Sequence, residues 1–318
     1  MKILIAGGAG FIGTRLSNHL NQSGHDVTVV DYFWFGDHLD PGIVKEKRDL
    51  TTLQKSDLTG FDAVVFLAGL SNDPMANFDP KKNFIENAAA PTYLAFMSKQ
   101  AGVPRYVYAS SCSVYGFTEN QIMSEDSKVS PQYPYGISKL QSEYSIMNMA
   151  DEAFRPIAMR KGTVGGWSPR MRFDLVVNTM TKFALTKGKI TVHNPDLWRP
   201  LIDIRDVVDA YTSAILAPKE VSEVFNVCTE NYTIGDLAKR IKTELANHGH
   251  DVELEIQHKK DVRNYLSSND KIKDMLGFDP KFTPEDSVRE VVENIAKFKL
   301  DLEDDVYYNI NTFKKLKI

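Results

Sequence analysis

Apolar residues recur along this chain in two alternating patterns, short unbroken runs and longer stretches with a helical period. Ile3–Ala6, Asp26–Val30, Ala63–Ala68, Tyr106–Ser110 and Pro156–Arg160 are short and rich in Val, Ile and Tyr, as buried strands are. Between them Phe11–Ser23, Asn83–Ala101 and Tyr135–Ala150 read as amphipathic helices. The first two run into Gly24 and Gly102, where a left-handed cap is expected. Alternating strands and helices of this kind predict an α/β fold, a Rossmann-like doubly wound parallel sheet with helices on both faces.

After about Lys161 the pattern loosens. Gly162–Arg172 is rich in glycine and basic residues, and Asn194–Pro200 is a proline-flanked loop. Ile202–Leu216 reads as a short strand and a helix, and Glu223–Cys228 as one further strand. From Thr233 a helix, a strand near Leu254–Gln257 and two more helical segments follow. The division expected is a dinucleotide-binding domain over residues 1–162, completed by 201–228. A smaller C-terminal substrate-binding lobe would comprise 163–200 and 229–318.

Composition narrows the classes of function. Of the 318 residues 42 are acidic and 38 basic, and the net charge of −4 provides no field for gripping nucleic acid. Cys112 and Cys228 are the two cysteines, too few for a disulfide framework or a cysteine-rich metal site, and no metal is expected. No apolar run approaches the ~20 residues that cross a bilayer, so no membrane partner is expected. Met1-Lys2 leads straight into a strand without a charged leader, which predicts the cytoplasm.

The first strand runs directly into a glycine turn and a helix, Ala6-Gly-Gly-Ala-Gly-Phe-Ile-Gly13. Gly8, Gly10 and Gly13 satisfy the dinucleotide-binding spacing, and Gly7, Gly10 and Gly13 a related one. Absent side chains let the backbone approach a pyrophosphate at the helix N-terminus, opened here by Phe11 and Ile12. Asp31 closes the second strand, where a carboxylate bonds both ribose hydroxyls and repels a 2′-phosphate, favouring NAD. Asp49 and Leu50, after a short third strand, are placed to meet the adenine edge.

Tyr135 and Lys139 stand four apart, on one helical face. A phenol titrating near 10 is a poor base at neutrality, and correcting this takes about 4 kcal/mol of preferential stabilisation of the phenolate. An adjacent ammonium and a cationic nicotinamide are suitable sources. Tyr106–Tyr115 places hydroxyls at a strand's C-terminal end, where ligands of open α/β sheets collect, and Ser111 there can bridge a substrate hydroxyl to the phenolate.

These blocks resemble the extended short-chain dehydrogenase/reductase family, in its nucleotide-sugar epimerase/dehydratase branch. The matching residues are Gly7–Gly13, Asp31, Asp49-Leu50, Phe66-Leu-Ala-Gly69, Asn87, Ser110–Gly116, Tyr135-Gly-Ile-Ser-Lys139 and Arg199–Asp206, in family order over most of the chain. The resemblance implies that Ser111 is the catalytic serine, Tyr135 the base and Lys139 the tuning lysine. It places Leu67, Ala68, Gly69 and Asn87 with Tyr135 and Lys139 around NAD. It also implies a homodimer through the helix carrying Tyr135 and the helix before it.

Within that branch, sugar 4,6-dehydratases carry Asp-Glu after the catalytic hydroxyl, where this chain has Cys112-Ser113. Glucuronate decarboxylases tend to show glutamate at the Ser113 position, so neither chemistry has its acid here. Cys112 is expected to pack. At the substrate end Arg170, Arg172, Arg199 and Arg263 offer guanidinium forks to a diphosphate, Asn178 a further donor, and Ser111 and Ser113 border the sugar. Ser168–Asp174 and Asp261–Tyr265 look like a subgroup containing sugar-nucleotide 4-epimerases and enzymes that oxidise C4 of a GDP-heptose. Two departures from the family, Phe66 for a histidine and Gly165 for a tyrosine, are expected beside the sugar pocket.

The reaction implied is C4 oxidation of a nucleotide sugar (UDP-, GDP-, dTDP- or CDP-linked) to a 4-keto intermediate, then re-reduction to the epimer. The rival is a dehydrogenase or reductase that releases or consumes the keto sugar. A non-catalytic NAD-binding scaffold is the alternative of a different class.

Overall fold

The computed structural model describes residues 1–258 and 264–317. Its strands are β1 Lys2–Ala6, β2 Asp26–Asp31, β3 Val44–Lys47, β4 Ala63–Phe66, β5 Arg105–Tyr108, β6 Phe117–Met123 and β7 Arg155–Lys161. There follow β8 Thr163–Gly165, β9 Lys189–His193, β10 Trp198–Asp203, β11 Val224–Val227, β12 Glu230–Thr233, β13 Glu253–Gln257 and β14 Asn264–Ser267. Seven of them form one parallel sheet in the order β11-β7-β5-β4-β1-β2-β3. Strand order reverses between β1 and β4, so a crevice opens at their C-terminal ends.

The two-residue period of the strands builds a core on each face. Ile3, Ile5, Val27, Val29, Val65, Val107 and Ile157 pack against Leu16 and Leu20 of the helix Phe11–Gln22 and Val207 and Tyr211 of the helix Ile204–Ile215. Leu4, Val30, Val64, Phe66, Tyr106 and Tyr108 turn the other way, onto Leu94 of the helix Ala90–Gln100 and Ile146 of the helix Pro134–Met147. This fold class is the one predicted. Smaller sheets, β12-β10-β8, β13-β9 and β14-β6, lie beyond β7 in sequence or pair back to the β5–β7 connection.

Differences from the sequence reading fall where backbone chemistry intervenes. The stretch Asn83–Ala101 is not one helix: Pro80–Phe84 leads into a π turn, Ile85–Ala89, before Ala90–Gln100. Pro91 has no N–H to donate to the Asn87 carbonyl four residues back, and the Ser142 hydroxyl donates to it instead at 2.9 Å. β4 and β5 end at Phe66 and Tyr108, two residues before the predicted ends, because both chains turn there into the crevice. Three helices, not two, close the chain: Asp270–Leu276, Pro284–Phe298 and Asn309–Leu316.

The helix Pro134–Met147 is fixed to the strand ends by a buried ionic network. Glu143 takes the Arg160 guanidinium of β7 at 2.6 Å and the Ser110 hydroxyl at 2.5 Å. Arg160 also donates to the Tyr115 hydroxyl at 2.9 Å, which donates to Asn226 of β11 at 2.6 Å. Glu143→Ala strands a buried guanidinium and is expected to cost about 3–5 kcal/mol in urea unfolding. Adding Arg160→Met to it should recover part of that loss, because the stranded charge goes too.

Candidate active site

A cavity of about 580 Å³ lies at the C-terminal ends of β1, β4, β5 and β7. Its wall includes the glycine turn and Asp31 as well as Ser111, Tyr135 and Lys139. Gly7 sits at φ 81°, and a Cβ there would meet the Ala68 backbone nitrogen at 2.5 Å. Gly7, Gly10 and Gly13 line the cavity with Phe11 and Ile12, whereas a Cβ on Gly8 would strike Val29 of the core at 2.5 Å. Of the two spacings, the one starting at Gly7 therefore faces the groove.

Asp31 accepts from the Ala9 amide at 3.0 Å and the Phe33 amide at 2.9 Å. Burial pushes its carboxyl pKa up, and those amides and the Arg170 charge oppose the rise. Leu67, Ala68, Gly69 and Asn87 line the same groove, as does Leu50. Asn87 donates to the Leu70 carbonyl and to Asn83, each at 2.8 Å, while its own Oδ1 is buried without a partner. A helix N-terminus without a side-chain cap, a carboxylate at the end of β2 and an orphaned acceptor fit a dinucleotide. Asp49 does not join them: its carboxylate caps the turn Leu50–Thr52, accepting from the Thr51 amide at 2.8 Å, and it does not line the cavity.

Tyr135 sits at the start of its helix, one residue after Pro134, whose missing N–H costs nothing there. Its side chain is buried, with Ser111 close enough to favour its ionised form. Ser111 itself donates to Ser113 Oγ at 3.1 Å. The Lys139 ammonium lies 5.8 Å from the Tyr135 ring centre and 5.2 Å from that of Tyr108. Burial drives the phenol well above its usual range, against the lowering effect of the Ser111 hydroxyl. Asp73 raises it further, Arg172 lowers it and Tyr265 raises it. Burial also drives Lys139 well below the usual lysine range, helped by the nearby Lys161 charge.

Lys161 was not singled out by the sequence. It lines the cavity beside Ser111 and donates to the Ser110 carbonyl at 3.0 Å, and burial lowers its pKa to about 8. Tyr265 is also in the wall, where the Ser113 hydroxyl and the Arg199 charge oppose the rise that burial gives its phenol. A lysine closing a central strand, directly after Arg160, was the available signal for the first; Tyr265 joins the site through the pairing of β14 with β6.

The substrate-end residues divide. Arg199 lines the cavity, its guanidinium 5.4 Å from the Tyr265 ring centre, and Arg172 lines it with its fork held by Asp174 at 2.8 and 3.0 Å. Arg170 also lines it, but toward Asp31 and Phe35 rather than with Arg199. Arg263 lies outside the described residues. Asn178 is a correction. It is fully buried, accepts from the Gly166 amide at 3.1 Å and donates to the Gly166 and Arg172 carbonyls, so its amide staples the Gly166–Arg172 turn. Phe66 and Gly165 are also absent from the cavity wall: Phe66 packs on Tyr108 within the core, and Gly165 sits against Val177. Cys112 is buried with its thiol on the Arg160 carbonyl at 3.1 Å.

The model of the NAD dependent epimerase/dehydratase family matches residues 3–228. The chain belongs to that family. Its members are enzymes, and its cofactor is NAD. A UDP-glucose 4-epimerase of Lactobacillus helveticus is 27% identical, with 91% of this chain and 94% of that one covered. Among solved structures, MoeE5 in complex with UDP-glucose and NAD is 26% identical with a TM-score of 0.83, covering 94% of this chain and 100% of its own. The UDP-glucose 4-epimerase of Thermotoga maritima with UDP-glucose matches at the same identity, TM-score and coverage.

Asn178→Ala leaves buried backbone groups unpaired and is expected to lower stability by about 2 kcal/mol in urea unfolding, with KM for a sugar nucleotide unchanged. A raised KM at unchanged stability would return Asn178 to the substrate.

Proposed function

We propose that this protein is an NAD-dependent nucleotide-sugar epimerase acting at C4, with Ser111, Tyr135 and Lys139 as its catalytic residues. The observation that carries the reading is Tyr135, buried on Ser111 beside Lys139 in the cavity that begins at the glycine turn. Relatives named UDP-glucose 4-epimerases, aligned over more than nine-tenths of the chain, support the same reaction and make UDP-hexoses the first substrates to try. Cys112 and Ser113, the two positions after Ser111, carry no carboxylate for an elimination or a decarboxylation.

Bound NAD supplies a hydride acceptor and donor. Gly7, Gly10, Gly13, Asp31, Leu67, Ala68, Gly69 and Asn87 would hold it. Tyr135 takes the C4 hydroxyl proton, directly or through Ser111, and returns it in the second half-reaction, so the base ends as it began. Ser111 and Ser113 orient the hydroxyl, and Lys139 and Lys161 make the floor cationic while the phenolate exists. Arg172 and Arg199 take the diphosphate side. The sugar must present both faces of C4 in turn, which assigns it to the open part of the cavity between Tyr135 and those arginines.

The seven-stranded sheet, built from β1–β5, β7 and β11, supports assigning residues 1–162, with 201–228, to the cofactor and the rest mainly to the sugar nucleotide. Phe96 and Tyr144, 46% and 53% exposed on the helices Ala90–Gln100 and Pro134–Met147, support a homodimer through those helices. Two free, buried cysteines suit a cytoplasmic setting.

Incubation with NAD and UDP-glucose or UDP-galactose should give the C4 epimer with no net NADH. Tyr135→Phe should lower kcat by roughly 10²–10⁴-fold. NADH accumulating in proportion to consumed sugar would make the protein a dehydrogenase. Full activity of Tyr135→Phe would remove the catalytic assignment.

A further inference from the structure

The segment after Glu303 lies beyond the part of the chain that the family model matches, yet it borders the cofactor groove. Asn309 and Phe313, on the helix Asn309–Leu316, both line the cavity. Phe313 is buried against Leu70 and Met75, edge-on to Trp34 at 5.0 Å and parallel to Phe35 at 6.3 Å. Trp34 in turn stacks on Tyr32 at 4.6 Å, so the loop leaving Asp31 and the C-terminal helix form one aromatic wall. Asn309 donates to Ser71 Oγ at 3.1 Å and accepts from the Arg170 guanidinium.

Arg170 is the unusual member. It is 3% exposed, its guanidinium rests 3.7 Å from the Phe35 ring centre, and its Nε is buried without a partner. It donates to two neutral groups, the Met171 carbonyl and the Asn309 side-chain oxygen. The carboxylates that act on it are committed elsewhere: Asp174 to Arg172, and Asp31 to two backbone amides. A buried cation with a spare donor in the wall of a groove is poorly compensated until an anion arrives.

We propose that the helix Asn309–Leu316 is part of the dinucleotide site: Asn309 holds Arg170 for a phosphate of the cofactor, and Phe313 closes the Asp31 end so that the cofactor stays bound between turnovers. Retention of this kind deepens the epimerase reading and rests on it, because a cofactor regenerated in place has no need to leave. The sequence-derived role of Arg170 is thereby changed, from the sugar's diphosphate to the cofactor's. The anchoring of the segment is independent of any ligand: the Phe173 amide donates to the Tyr307 carbonyl at 3.1 Å, and Lys182 pairs with Glu303 at 2.5 Å.

The test uses the full-length protein, first loaded with NAD, passed through a desalting column and incubated with isotopically labelled NAD. Mass spectrometry of the retained dinucleotide gives the exchange rate. Phe313→Ala and Asn309→Ala should each exchange about tenfold faster or more, the factor expected for losing one charge-assisted contact or its support. On cofactor-stripped protein, Arg170→Met should weaken ADP-ribose about tenfold or more and leave adenosine unchanged. Equal weakening of ADP-ribose and adenosine would make Arg170 merely structural, and exchange as in the native protein would remove the helix from the site; either overturns the proposal. These readouts involve no sugar, so failure of the epimerase reading would show separately, as NADH released during turnover.

Discussion

A phenol and an ammonium buried in one pocket are each pushed toward neutrality, and the organisation of this protein follows from that constraint. Desolvation raises the proton affinity of Tyr135 and lowers that of Lys139, and Lys161 adds to the second effect. Proximity alone therefore does not generate a base. What burial does provide is a low-dielectric site in which any further positive charge acts strongly on the phenol. The cationic form of the family's cofactor is such a charge. Base strength at Tyr135 would then be coupled to cofactor occupancy, and proton abstraction confined to the loaded enzyme. A C-terminal helix that retains the cofactor is consistent with that dependence.

The pocket is kept in shape by groups that never face it. Glu143 joins Arg160 of β7 to Ser110, one residue before Ser111, while Ser142 and Tyr108 share a 2.5 Å hydrogen bond beneath Lys139. Ser142 also answers the Asn87 carbonyl that Pro91 releases. One turn of the helix Pro134–Met147 thus ties together the strand end, the π turn and the lysine. Buried ionic groups are seldom the most stabilising choice for a core, and their use here sets the relative position of Ser111, Tyr135 and Lys139.

Much of the fold was legible because its strands are short, apolar on both faces and separated by helices of clear period. The glycine turn, Asp31, Ser111, Tyr135 and Lys139 were legible for a related reason: each is tied to a strand end or a helix face within its own segment. What escaped was long-range. Asn178 carries the right chemistry for a phosphate, but its amide is consumed by a turn six to twelve residues before it. Asp49 likewise became a local cap. Arg170 and Arg172 are two apart in sequence and feel each other's charge, yet Arg172 is paired with Asp174 and acts on Tyr135, while Arg170 rests on Phe35 and acts on Asp31. Tyr265, Asn309 and Phe313 reach the cavity from distant segments, and no spacing rule links them to the glycine turn.

Ionisation of Tyr135 is the quantity to measure. Ultraviolet difference titration of the NAD-loaded protein against its Tyr135→Phe variant isolates this phenol from the other tyrosines. One phenolate should appear in the loaded protein as pH rises through neutrality, and should be absent from the cofactor-stripped protein until above the ordinary value near 10. A Tyr135 phenol that stays protonated beyond about pH 10 with NAD bound would contradict its role as the base.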